Sequence, residues 1–384
     1  MSNLTNNLTN KKTFKEWSKL FEQDILIEFT TNQEGLLWLK IKSIVRKELI
    51  SLFTTNNNFK LENTTLKLQF EELFDILAKN LTQSHILLDK FIITEDKKQR
   101  SQVDEPALVS QLYRLKHFSW GGNYSNALDK YLVDSYIKVY SNYEQLVSKF
   151  DIEISRAVQG YVLCSWYNHS SSILIENIFK SHSTVLPTVG QIKKVDFFVN
   201  GIPFDLKVTY LPENYVEQKR KSANQKSELS LLKQVAKQLN IAFDRDQRPD
   251  DLYYELTEKV RDKGDTYGLE SLKSIDEFRK NLVDELIKNP KELIQNLYEQ
   301  QGEMRFDASN RLFLVLVDKD KSDDSWKLKR NLDMLKPNII SYLDNFSTKT
   351  LDQMTINFTY KNKGEFTAYS DILFITKQSK STDF

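Results

Sequence analysis

The sequence predicts an α/β protein of the α+β kind. A mixed β-sheet is flanked by helices, preceded by a helical N-terminal region and interrupted by a large helical insertion. Three observations carry this expectation. Apolar residues recur at helical spacing over 13–90, 107–150 and 211–305. Short alternating or continuous apolar runs occupy 194–199, 202–209, 311–318, 355–360 and 366–376. The chain has 384 residues, more than one core usually fills, so two or three structural units are expected.

Composition bounds the chemistry. The chain is 40% hydrophobic and 12% aromatic, enough for packed cores. With 54 Lys+Arg against 53 Asp+Glu it is not a uniformly basic protein, although a local basic groove is compatible with that balance. One cysteine, Cys164, excludes a disulfide framework and any zinc site needing two thiolates. Four histidines leave little room for a His-rich metal cage. The first residues, Met1-Ser-Asn-Leu-Thr-Asn-Asn, lack the pattern of a secretory signal. No stretch approaches about 18 uncharged apolar residues. A cytoplasmic protein with no membrane span is therefore expected.

Along the chain, 1–12 reads as a disordered tail. Trp17, Leu20, Phe21 and Ile25, then Phe70, Leu73, Phe74, Ile76 and Leu77, follow a helical period on either side of an Asn-rich break at 54–58. The polar stretch 95–105 reads as an exposed loop, and Gly121-Gly122 interrupts the helical stretch 107–150. Residues 13–150 thus form a mainly helical region and 151–384 the sheet-bearing remainder, with the insertion at 211–305. One helix carries Ala157, Val158, Tyr161, Val162 and Cys164, and a second, 170–180, carries Ile173, Leu174, Ile175 and Phe179. Within the insertion, Ser274-Ile-Asp-Glu277 has a capping-box pattern and Asn289-Pro290 separates two helices. The run 311–318 is apolar without alternation, as expected of a strand buried on both faces. An amphipathic helix around 326–335 precedes two closing strands joined by Lys361-Asn-Lys-Gly364.

The segment 194–209 carries the chemistry. Asn200-Gly201 between two β-type runs predicts a type I′ hairpin, because both turn residues must tolerate positive φ. A two-residue loop makes facing positions sum to 401, so Asp196 faces Asp205 and Lys194 faces Lys207. The 196:205 pair is of the non-hydrogen-bonded type, with Cβ atoms about 4.5–5.5 Å apart. Lys207 shares the face of Asp205. Two carboxylates so placed repel by about 3 kcal/mol at an effective dielectric near 20. Protonation of one carboxyl, neutralisation by Lys207 and Lys194, or a shared divalent cation would offset this. Oxygen donors without His or Cys suit Mg²⁺, held by Asp196, Asp205 and the backbone carbonyl of Leu206. The competing reading is a half-exposed hairpin whose outer face happens to be charged.

These residues resemble the PD-(D/E)xK nuclease superfamily, in particular type II restriction endonucleases. Asp196 matches the first strand acid and Asp205-Leu206-Lys207 the (D/E)xK motif. Glu176, in Ile-Leu-Ile-Glu-Asn-Ile-Phe, matches the helix acid and is a further candidate metal ligand. Val195 stands where the name-giving Pro would be. The core match covers 155–210 and the strand 311–318. The segment 289–306 leading into Asn310-Arg-Leu-Phe-Leu-Val-Leu-Val-Asp318 is also similar to restriction-enzyme sequences.

The resemblance implies a restriction-endonuclease-like core with Asp196, Asp205, Lys207 and Glu176 as catalytic residues. It also implies Mg²⁺-dependent, sequence-specific cleavage of double-stranded DNA to 5′-phosphates, a homodimer, and a DNA methyltransferase as genetic partner. A PD-(D/E)xK nuclease of repair, recombination or another defence system, and an inactive DNA-binding or assembly module, are the alternatives. Candidate DNA contacts are Lys194, the basic run Lys219, Arg220 and Lys221, and Arg305, Asn310 and Arg311, whose side chains suit phosphates or base edges. His117-Phe-Ser-Trp-Gly-Gly-Asn-Tyr124 reads either as a loop near DNA or as packing at a turn.

Overall fold

The computed structural model describes residues 11–118, 128–190, 192–245, 247, 249–302 and 306–378. The tail 1–10, Gly121-Gly122 with most of the motif around it, and Arg305 lie outside these residues. Among the described residues, 17 helices accompany one open, mixed six-stranded sheet. Its strands are β1 (Val185–Pro187), β2 (Phe197–Val199), β3 (Ile202–Tyr210), β4 (Arg311–Asp318), β5 (Thr355–Thr359) and β6 (Glu365–Lys377), in the order β1-β2-β3-β4-β6-β5.

The hairpin of β2 and β3 turns where expected. Asn200 and Gly201 take φ of 48° and 83°, the left-handed region a type I′ turn requires. The antiparallel pairs are 199:202, 198:203 and 197:204. β1, a strand with no alternation to betray it, adds to the other edge of β2, pairing Val185 with Val199 and Pro187 with Phe197. β5 and β6 form the antiparallel closing pair, joined across Gly364 at φ 103°. The Ser370 hydroxyl donates to the Arg311 carbonyl and the Lys319 amide to the Lys377 carbonyl, so partners advance together and β4 runs parallel to β6. All eight residues of β4 are buried, as its unbroken apolar run requires.

The chain divides into two compact units. One comprises residues up to 207 with 300–313 and 329–371; the other comprises 208–299, 314–328 and 372 onward. The N-terminal helices therefore belong to the same unit as the hairpin. Trp17, Phe29, Trp38, Phe53 and Phe70 share one core cluster with Val189, Ile192, Val195 and Phe198. Phe197, of opposite parity to Phe198, stacks on Phe179 of the helix Ser155–Lys180, ring centroids 5.2 Å apart. Both faces of β2 are thus covered, in place of the charged, half-exposed outer face of the competing reading.

In the second unit, the helices Glu213–Ser222, Glu228–Gln238, Pro249–Lys263, Thr266–Lys288 and Lys291–Glu299 bear out the helical insertion. Leu232, Ala236, Leu252, Leu256 and Ile275 form a core there. Arg279 ties it together, donating to Glu228 (2.7 and 2.9 Å) and to Glu213.

Four local expectations are corrected. The stretch 95–105 is no loop through its first half, because the helix Leu81–Arg100 continues. Its charges sit at helical spacing, with Arg100 2.6 Å from Asp96 and three cations in the last turn, where the helix dipole favours them. Residues 155–180 form one 26-residue helix, since the polar Ser, Asn and His positions interrupt its apolar pattern but not its backbone. Ser274 opens no helix: Asp265 caps Thr266–Lys288, accepting from the Tyr267 and Gly268 amides, and the Ser274 hydroxyl bonds back to the Ser271 carbonyl. The amphipathic segment near 326–335 is a 3₁₀ turn (Ser322–Arg330) followed by the helix Leu332–Asp344. Among the described residues no helix is long and apolar enough to cross a membrane.

Candidate active site

β3 presents Asp205 and Lys207 two residues apart and hence on one face. The Asp205 amide donates to the Asn310 carbonyl (2.9 Å), anchoring the strand beside the entry to β4. Its carboxylate is buried and accepts from Lys207 Nζ at both oxygens, 2.8 and 2.7 Å. Arg311 Nε lies 3.5 Å from Asp205 Oδ2 and its Nη2 lies 3.0 Å from Asp307. Asp205 is therefore held between two cations, while Lys207 keeps 45% of its side chain exposed and can reach beyond the protein.

Asp196 immediately precedes β2 in the chain. The hairpin register does not extend to it: its amide donates to the Phe204 carbonyl (2.8 Å), although Phe204 already faces Phe197. Two residues thus share one opposite number, as in a β-bulge, and the local backbone turns. The turn brings the Asp196 carboxylate onto the Leu206 amide, which donates to Oδ2 at 2.7 Å in place of a strand partner. The carbonyl of Asp196 accepts from both the amide (3.2 Å) and the hydroxyl (2.9 Å) of Thr188. The Leu206 carbonyl points to the same strand edge as its amide and so faces the neighbourhood of Asp196.

The electrostatics follow from these placements. Burial, then the carboxylates of Asp205 and Glu176, push the Asp196 carboxyl up to about 7, opposed by the Leu206 amide and Lys207. Glu176 reaches this neighbourhood from the helix Ser155–Lys180, whose Ile175, Ile178 and Phe179 are buried around it. It is paired with Lys180 one turn on, Nζ to Oε2 2.9 Å. Each acid but one thus has its own cation. Among the described residues, no Lys, Arg or His pairs with Asp196.

That donor set is oxygen-only: the carboxylates of Asp196, Asp205 and Glu176 and the Leu206 carbonyl. Among the described residues no three His, Cys, Asp or Glu side chains form a ready-made metal cage. Mg²⁺ does not need one, since it usually takes one or two carboxylates and keeps several waters. The excess negative charge around Asp196 is the feature of these residues that fits such a cation.

Other expected site residues are placed elsewhere. Lys194 does not face Lys207. It adopts φ 71°, which breaks the strand, and its ammonium pairs with Asp24, donates to the Phe21 carbonyl (2.9 Å) and lies over the Phe21 ring. Asn310 and Arg311 are interior residues rather than base-reading ones. The Asn310 side chain accepts from the Tyr369 amide (3.0 Å) and donates to Thr30 (3.1 Å), and Arg311 serves Asp205 and Asp307. In the second unit Arg220 is buried, donating to the Lys226 carbonyl and lying over Phe278. Lys219 pairs with Glu292 at 2.6 Å, and only Lys221 of that run is exposed.

Lys180 is not among the residues the sequence singles out, and Arg311, singled out for DNA contact, holds Asp205 instead. The spacing of Glu176 and Lys180 was a readable signal for the first. For the second, an Arg opening an otherwise apolar buried strand requires a carboxylate partner.

No family model, curated protein or solved structure matches this chain.

Proposed function

We propose that the chain is a magnesium-dependent endodeoxyribonuclease of the PD-(D/E)xK type, acting as a sequence-specific restriction enzyme on double-stranded DNA and leaving 5′-phosphates. The observation that carries the reading is Asp196, a carboxylate with no cation of its own among the described residues, placed beside Asp205, Glu176 and the half-exposed side chain of Lys207. Like charges are gathered here at a cost to folding, which is characteristic of a site that binds a cation or does acid–base work. The restriction assignment, with its homodimer and companion methyltransferase, rests on the sequence resemblance.

Asp196, Asp205 and the Leu206 carbonyl would hold the magnesium, with Glu176 ordering water at its edge. When bound, the ion supplies Lewis-acid polarisation of the scissile phosphate. Arg311 and the Leu206 amide hold the two aspartates in place before substrate arrives. Lys207 positions the attacking water and stabilises the negative charge that grows on the phosphate oxygens. The water oxygen bonds to phosphorus, the P–O3′ bond breaks, and a 5′-phosphate and a 3′-hydroxyl result.

Incubating the full chain with plasmid DNA, with and without Mg²⁺, tests this. Discrete, Mg²⁺-dependent fragments are expected. A smear would replace restriction by general nuclease action, and intact plasmid at every site sequence supplied would overturn the enzymatic reading.

A further inference from the structure

A cavity of about 650 Å³ lies between the segment 111–117 and the first half of the helix Ser155–Lys180. That is within the roughly 300–1,000 Å³ typical of ligand sites. Its helical wall is one stripe, Arg156, Gln159, Leu163 and Trp166, spaced by three or four residues. From Arg156 to Trp166 the stripe runs about 15 Å at 1.5 Å per residue. Arg114 and Lys116 face it from the other wall, and among the described residues no Asp or Glu lines the cavity.

Three cations facing one space repel one another, and among the described residues none has a carboxylate partner. Among the described residues, Arg114 donates to Gln111 and Lys116 to the Tyr113 carbonyl, and to no other group. Trp166 stays 38% exposed at the end of the stripe. The lining suits a ligand that is elongated, repeatedly anionic and flat in part. Phosphodiesters neutralise the cations, a base stacks on the indole, and Gln159 offers an amide to a base edge. Basic grooves with an aromatic platform are how single strands are held without regard to sequence. A closed duplex buries its base faces and cannot use the ring.

We propose that this cavity binds a short single-stranded stretch of nucleic acid, two or three nucleotides long, with phosphates on Arg114, Lys116 and Arg156 and a base on Trp166. Magnesium and the acid cluster take no part, so the site stands whether or not the nuclease reading holds.

The test is binding of a fluorescein-labelled ten-residue oligothymidylate to the full chain in EDTA, which prevents metal-dependent cleavage. Three phosphate contacts to a single strand give a log–log salt slope of about −2, hence about a 20-fold loss of affinity from 50 to 200 mM salt. The triple variant R114A/K116A/R156A should flatten that slope towards zero, and W166A should weaken binding about tenfold or more while leaving the slope unchanged. Unchanged circular dichroism and melting would show that both variants are folded. Wild-type affinity and slope in the folded triple variant would overturn the proposal. So would a ten-base-pair duplex binding as tightly as the oligomer, or competition by thymidine monophosphate or polyglutamate as effective as by the oligomer itself.

Discussion

Replacing Asp196 by Asn removes a charge while preserving shape, and the Asn Oδ1 can still accept from the Leu206 amide that Asp196 Oδ2 now holds at 2.7 Å. In the wild type without divalent cation, the folded carboxyl is raised from its ordinary 3.8 to about 7, chiefly by burial and then by Asp205 and Glu176. Between those values the folded chain holds a proton that the unfolded chain has released. The stabilisation that proton brings is complete below the ordinary value and is lost as pH rises through about 7. Three pH units correspond to a ceiling of about 4 kcal/mol, of which about 3 kcal/mol falls between pH 5 and pH 8. The amide does not titrate. The stability of wild type minus that of Asp196→Asn should therefore drop by about 3 kcal/mol across that interval, the variant gaining as pH rises. Urea unfolding in EDTA, followed by the fluorescence of the buried Trp17 and Trp38 of the same unit, measures this. Parallel pH profiles for the two proteins would refute the claim that Asp196 is an uncompensated carboxylate in a crowded acidic site.

Three further outcomes are expected. Lys207→Ala should lower DNA cleavage by at least about 100- to 1,000-fold while plasmid binding, measured by gel shift in Ca²⁺, persists; wild-type cutting would remove Lys207 from the chemistry. Arg279→Ala should cost about 3–5 kcal/mol in thermal unfolding by stranding the buried Glu228, and adding Glu228→Gln should recover part of it; additive losses would deny the pairing. Gly201→Ala should destabilise by about 1–2 kcal/mol in urea unfolding, since the turn holds φ 83° and the nearest atom a Cβ would meet is an ordinary 3.7 Å away; a neutral result would mean that the turn relaxes freely.

The features legible in the sequence are short-ranged. The Asn200-Gly201 turn, the register of its neighbouring pairs and the buried run 311–318 all follow from residues within one element. The features not legible there depend on a partner distant in the chain. Extending the register to 196:205 assumed a strand that Lys194 breaks by turning towards Asp24, some 170 positions earlier. Reading Asn310 and Arg311 as polar groups for DNA assumed exposure, whereas Arg311 serves Asp205 and Asn310 caps the backbone of Tyr369. The cationic lining of the cavity is not legible in the sequence because Arg114, Lys116 and Arg156 come from segments forty residues apart.

By itself the sequence determined the mixed sheet with its helices, the tight reversal, and the presence of Asp205 and Lys207 on one face. Backbone geometry repeats every two residues in a strand and about 3.6 in a helix, so local order is written locally. Only the tertiary structure decided which acid of the cluster lacks a counter-ion among the described residues. That depends on burial and on cations delivered by remote elements, and Coulomb interactions heed distance in space rather than distance along the chain.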